Sequence, residues 1–121
     1  MIHKDTLLFL DDLRNPSECI AYMTKRGYDK FLYTLEWEVV RNYSEFTNWI
    51  INNGLPNTIS FDHDLGDSCN DGIDCAKWLV EYCMKQQLAL PDYIVHSANP
   101  VGDENIKVYF ESFTKTFSFR T

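Results

Sequence analysis

Leu7-Leu8-Phe9-Leu10-Asp11-Asp12 and Thr58-Ile59-Ser60-Phe61-Asp62-His63-Asp64 are the two stretches on which the fold turns. Each is a short run, too brief for a helix, that closes on acids. Two such runs read as buried strands of a parallel sheet, whose C-terminal ends share one edge where ligand sites gather. Carboxylates meeting at that edge repel: two unit charges about 4 Å apart interact by roughly 4 kcal/mol at an effective dielectric of about 20. A hard divalent cation relieves that repulsion, and oxygen donors suit Mg2+ or Mn2+.

Working outward, strands alternate with helical patterns. Asn15-Pro16-Ser17-Glu18 has the form of a helix start, with Asn15 as cap and Glu18 reaching back, and predicts a helix from Pro16 to about Arg26, ended by Gly27. Phe31 to Leu35 fits either an extra strand or an aromatic loop, and Trp37 to Val40 reads as the second strand. Ser44 is the expected cap of a helix with Phe46, Trp49 and Ile50 on one face, terminated by Gly54 and Pro56. Strand three is Thr58 to Phe61. After a polar loop from Gly66 to Gly72, Asp71 caps a helix burying Ile73, Ala76, Leu79, Val80 and Cys83. Pro91 introduces strand four, Tyr93 to Val95. A last helix from about Asp103 carries Ile106, Tyr109, Phe110, Phe113 and Phe117 at helical spacing. These are βαβ units, whose right-handed crossovers place helices on both sheet faces.

The chain of 121 residues suits one α/β domain over 1–121. Its 45% hydrophobic and 15% aromatic content excludes a disordered chain, and no apolar run approaches the roughly 20 residues of a membrane span. The start, Met1-Ile2-His3-Lys4-Asp5, lacks the apolar core of a secretory signal, so a cytoplasmic protein is expected. A net charge of −7 disfavours duplex nucleic acid and anionic membrane as partners, and leaves a small phosphorylated ligand, neutralised by metal, compatible. Cys75 and Cys83 share a helical stripe with Leu79 and read as core groups; Cys69, in the polar loop, is the candidate for reactivity. Nothing in the sequence indicates oligomeric state.

Leu8-Phe9-Leu10-Asp11-Asp12 resembles the acidic pair ending strand one of response-regulator receiver domains. Asp62 stands where their phosphoacceptor aspartate ends strand three, and Ser97-Ala98 resembles the Thr/Ser-Ala pair ending strand four. More closely, Asp11-Asp12-Leu13-Arg14-Asn15-Pro16, Asp62-His63-Asp64-Leu65-Gly66 with the later Asp71-Gly72, and His96-Ser97-Ala98-Asn99-Pro100 look like the cyclic-phosphate-processing receiver-like domains of phage and bacterial conflict systems. The resemblance implies a three-layer, flavodoxin-like fold with a parallel sheet ordered 2-1-3-4. It implies a magnesium site on Asp11, Asp12 and Asp62, with the main-chain carbonyl of Asp64 contributing. The chain departs from ordinary receivers at its end. Only Ser118 to Thr121 follow the last helix, so the fifth strand is expected to be reduced or missing, and Lys115 does not stand where the phosphate-contacting lysine would.

These readings name the candidate site. Metal ligands are Asp11, Asp12, Asp62 and Asp64. Catalytic candidates are Asp62, as nucleophile or as ligand of a water-activating metal, together with His63, His96 and Ser97. Alternation opposes Asp62 to His63 and His96 to Ser97, and leaves open which histidine faces the metal. Phosphate-binding candidates are Arg14, Asn99 and, on the rim, Arg41. Against this stand blander readings: acids that merely cap helices, an arginine in a surface ion pair, a serine and an asparagine that cap a turn. The expected function is metal-dependent hydrolysis of a phosphodiester or cyclic phosphate, such as a cyclic nucleotide; the alternative is a receiver-like module that binds a nucleotide or protein partner without turnover. Phosphoacceptance at Asp62 is a third. An Asp-x-Asp phosphatase of the haloacid dehalogenase type fits less well, since its motif ends the first strand rather than the third.

Overall fold

The computed structural model describes residues 2–65, 71–97 and 100–116. Strand β1 (Ile2–Leu10) is followed by a 3-10 turn (Pro16–Cys19) and α1 (Ile20–Lys25). A second 3-10 turn (Leu32–Thr34) leads to β2 (Glu38–Val40), α2 (Tyr43–Asn53), β3 (Leu55–Phe61), α3 (Gly72–Gln86), β4 (Asp92–Val95) and α4 (Pro100–Thr116). All strand pairs are parallel, as the βαβ pattern predicts, and the order is β2-β1-β3-β4, as the resemblance to receiver domains implies. Residues 117–121, on which the reduced fifth strand and Phe117 fall, lie outside the described residues.

Period-two alternation splits each strand between two cores. Leu8, Leu10, Ile59, Phe61 and Val95 point to the face covered by α2, α3 and α4, where Phe46, Leu79 and Phe110 are fully or almost fully buried. Leu7, Phe9 and Ile94 point to the opposite face, covered by α1 and the two 3-10 turns with Cys19, Met23, Tyr33 and Trp37. Burying each large apolar side chain contributes about 1.5–3 kcal/mol, so both layers hold the sheet. Cys75 and Cys83 are buried free thiols in the larger core, as their helical stripe suggests.

Several boundaries differ from expectation, each for a local reason. β1 and β3 begin earlier, at Ile2 and Leu55, with an irregularity between His3 and Leu7 in their pairing. Pro56 is tolerated near the start of β3 because it stands beside the irregularity between His3 and Leu7 in the pairing with β1, where a regular ladder bond is not required. The helix expected from Pro16 starts as a 3-10 turn; the Glu18 carboxylate accepts from the Asn15 amide at 2.9 Å, as the motif indicates. Asn42, not Ser44, caps α2, accepting from the Glu45 amide at 2.8 Å. The stretch from Phe31 to Leu35 is a turn rather than a strand, burying Tyr33 while Phe31 and Leu35 stay exposed. Trp37 lies just before β2, and its indole N–H donates to the Leu32 carbonyl at 3.1 Å. Ile73 is only half-buried, and α4 begins at Pro100 rather than near Asp103. No helix of the described residues is long and apolar enough to cross a membrane.

Candidate functional site

The parallel ladder continues one residue past the ends of β1, β3 and β4. The Asp11 amide donates to the Val40 carbonyl at 3.1 Å, the Asp62 amide to Leu10 at 3.0 Å and the His96 amide to Phe61 at 2.9 Å. Three strands that end in register therefore set Asp11, Asp62 and His96 side by side, on the face of Phe9, Ser60 and Ile94. Carboxylate oxygens of Asp11, Asp12 and Asp62 all lie within 4.8 Å of one another. They line a cleft of about 310 Å³ together with Arg14, Asp64 and Ser97.

Asp11 is 1% exposed, yet it is held as a carboxylate. One oxygen accepts the amides of Leu13 (2.9 Å) and Arg14 (2.8 Å). The other accepts Arg14 Nε (2.9 Å) and His96 Nε2 (3.1 Å). Burial opposes the charge, but these four donors and the guanidinium outweigh it and hold the group at about 2. Asp62 is pushed the other way, to about 7: burial comes first, the charges of Asp11 and Asp12 add to it, and Arg14 relieves only part. Two acids of one cluster, one always charged and one near neutral pH, are the signature of a site short of positive charge.

Arg14 is the positive charge within the protein that meets this demand. Besides its bond to Asp11, its Nη2 stands 3.7 Å from Asp62 Oδ1. Nη1 donates to the Tyr22 hydroxyl at 2.8 Å, and the guanidinium lies 5.3 Å from the centre of the Tyr22 ring. Tyr22 in turn donates to the main-chain carbonyl of His96, so α1 and the end of β4 jointly fix the arginine. Arg41 has a different place. Its guanidinium donates to the carbonyls of Asp11 (3.1 Å) and Arg14 (2.6 Å) and to Asn15 Oδ1 (2.6 Å), tying down the loop after β1 instead of lining the cleft.

The two histidines separate. His96 is fully buried, stacked on Phe9 with ring centres 4.4 Å apart, with Nδ1 at 2.6 Å from Ser60 Oγ. His63 points away from it, toward the rim, with Nδ1 at 2.9 Å from Asp64 Oδ1. His63, Asp64 and Asp71 form a second group of potential ligand atoms within 4.8 Å, although Asp71 is also the cap of α3. Ser97 is buried at the cleft wall, its carbonyl accepting from Arg26 at 3.2 Å. Asn99 and Cys69 lie outside the described residues.

Gly72 explains the second half of the Asp71-Gly72 motif. Its amide donates to the His63 carbonyl at 2.7 Å, and a Cβ there would meet the Asp62 carbonyl oxygen at 2.0 Å. Only glycine lets α3 pack this closely on the loop that carries Asp62. Sequence reasoning missed Ser60, Tyr33 and Tyr22. Ser60 carried a readable signal: it is a hydroxyl between Ile59 and Phe61 in a central strand, and a buried polar group demands a partner.

Among solved structures, a fusion carrying a trimeric coiled-coil segment of yeast Spc42 superposes with a TM-score of 0.52 at 20% identity, over 89% of this chain. This chain spans 65% of that fusion's length, and the likeness speaks to fold alone. The receiver domain of NtrX from Brucella abortus gives a TM-score of 0.44 at 15% identity, over 92% of this chain and 99% of that one. The Mn2+-bound form of the response regulator Rcp1 gives 0.46 at 14% identity, over 97% of this chain and 99% of that one. No curated protein sequence matches the chain. Residues 6–112, nearly the whole of this parallel α/β unit with its acidic edge, match the family of cyclic-phosphate processing receiver domains, and the chain belongs to that family.

Proposed function

We propose that the protein hydrolyses a cyclic phosphate or phosphodiester at the acidic edge, supported by Mg2+ or Mn2+, its ligand a small phosphorylated molecule such as a cyclic nucleotide. The observation that carries this reading is the meeting of Asp11, Asp12 and Asp62 within 4.8 Å, beside an arginine and a buried serine. The donor set fits a hard cation: all oxygens, at the edge where three strands end. Such a cation, when bound, neutralises phosphoryl charge and makes water a better nucleophile. All four lone-pair positions of Asp11 already accept hydrogen bonds. Direct ligation therefore falls first to Asp12 and Asp62, with Asp11 acting by charge, through water, or by releasing Arg14.

The remaining roles follow from placement. Arg14, fixed by Tyr22, presents Nη2 at the cleft for a phosphoryl oxygen, and the Ser97 hydroxyl supplies a further donor. The Asp64 carbonyl is a further candidate, and Asn99, outside the described residues, is one by its place in the sequence after Ser97. Of His63 and His96, only His63 reaches solvent, and it is the group suited to protonate the departing hydroxyl. Hydrolysis forms one P–O bond to water as the ester P–O bond breaks, and the water's proton ends on the leaving oxygen.

A non-catalytic binding module remains the second reading. What favours it is the burial of His96 and the pairing of His63 with Asp64, which leave neither imidazole lining the cleft. The test is incubation with cyclic nucleotides and cyclic-phosphate ends in Mg2+ or Mn2+, with product identification. Turnover that vanishes in a folded Asp62→Ala variant supports hydrolysis. Turnover unchanged in that variant overturns it, and binding with full recovery of intact ligand selects the module.

A further inference from the structure

Behind Asp11 runs a file of buried polar groups with no place in the chemistry above. Tyr33 OH lies 2.7 Å from Ser60 Oγ, Ser60 Oγ lies 2.6 Å from His96 Nδ1, and His96 Nε2 lies 3.1 Å from Asp11 Oδ2. Tyr33 is 3% exposed, and Ser60 and His96 are fully buried. The members come from three separate elements: the turn after α1, the last pleat of β3, and the end of β4. Phe9 stacks on the imidazole, and Tyr33 meets both rings edge-on.

A proton inventory gives the file a direction. The Asp11 carboxylate only accepts, so the imidazole must carry a proton on Nε2. In the neutral ring Nδ1 then accepts, Ser60 donates to it, and Tyr33 donates to Ser60. Each hydroxyl proton has one acceptor and each donor one target. The file is not a route for protons, because it ends at a hydroxyl sealed in the core, where burial pushes the Tyr33 phenol up. A chain of donors with a blind end can orient, and it cannot conduct.

Resting on the cation reading above, we propose that His96, Ser60 and Tyr33 are positioning residues. They lock one ring tautomer of His96 and hold the Asp11 carboxylate, and through it the Arg14 guanidinium, in a fixed place beside Asp12 and Asp62, the carboxylates that receive the cation. His96 is thereby removed from the groups that touch substrate. The same file couples the smaller core to the site: Trp37 stacks on Tyr33, and its indole pins the turn that carries it.

The test is Mn2+ affinity by isothermal titration calorimetry, with far-UV circular dichroism to confirm the fold and 15N NMR of the imidazoles to read the tautomer. Partners outside the ligand set typically control metal affinity by about 10–100-fold, so Ser60→Ala is expected to weaken Mn2+ binding about tenfold and to blur the Nε2–H tautomer. Tyr33→Phe should weaken it less. His96→Gln, which keeps a donor toward Asp11, should retain more affinity than His96→Leu, a contrast that a purely space-filling role would not produce. Unchanged affinity and tautomer in folded Ser60→Ala overturn the positioning role alone. Wild-type protein that binds no Mn2+ overturns the cation reading and this role with it.

Discussion

Replacing Asp62 by asparagine should make the metal-free protein more stable at neutral pH. Three carboxylates share a site, and a pair of unit charges 4.8 Å apart repels by about 3 kcal/mol at an effective dielectric of about 20. Burial adds to this, and together they raise Asp62 from 3.8 to about 7. A raised carboxylate favours the folded state fully below its unfolded value and loses that contribution as pH climbs through the folded one. The window therefore runs from about pH 4 to about pH 7. At about 1.4 kcal/mol per pH unit the gap amounts to at most about 4 kcal/mol, with little screening by solvent because the side chain is only 7% exposed. Asp11 has the opposite sign: held at about 2, it contributes stability above about pH 4 that is lost as pH falls toward 2, about 2 kcal/mol in all. Urea unfolding in chelator should thus show wild-type stability greatest near pH 4 and declining toward pH 8. The difference between wild type and Asp62→Asn should change by several kcal/mol across that interval. Saturating Mg2+ should restore wild type at pH 8, by about 2.7 kcal/mol at a hundredfold excess over its Kd, and leave the variant unmoved. Parallel pH profiles for the two proteins would refute the account of the acid cluster.

Two further outcomes test neighbouring contacts. Gly72→Ala should cost about 1–3 kcal/mol in urea unfolding and weaken Mn2+ binding, because the new Cβ at 2.0 Å displaces the Asp62 carbonyl that α3 packs against. Arg14→Lys keeps the charge but breaks the simultaneous contacts to Asp11 and Tyr22. Affinity for a phosphorylated ligand should fall about tenfold while Mg2+ affinity changes little, since the variant loses the fork and keeps the field; equal losses of both would place Arg14 in the cation site rather than on the phosphate.

The acidic edge carries its own counter-ion. With one carboxylate fully hydrogen-bonded and another held near neutrality, Arg14 stands where a cation would compete with it for the carboxylates and a phosphate would compete with the carboxylates for it. Its hold on Tyr22 keeps it at the cleft. Rigid placement of this kind reduces the reorganisation a ligand must drive.

The strands and the acidic edge were legible from Leu7 to Asp12 and Thr58 to Asp64, because strand length, apolar runs and terminal acids are local properties of the chain, while the sheet order came with the likeness to receiver domains. Parallel register then made the meeting of Asp11 and Asp62 a geometric consequence. Caps were legible in type but not always in place: Asn42 displaced Ser44 because a side chain two residues earlier already satisfies the free amide of Glu45.

What no local pattern could decide is which polar groups meet across the sheet. The split of the histidines, the burial of Ser60 against His96, the turn that brings Tyr33 beneath them and the capture of Arg41 by the β1 loop depend on contacts between residues tens of positions apart. The sequence by itself determined a parallel α/β domain with carboxylates on one rim, since periodicity and composition act within a single element. Only the tertiary structure decided that one histidine props up an aspartate while the other faces solvent, because that choice is made by packing among three strands and a turn, after the chain has folded.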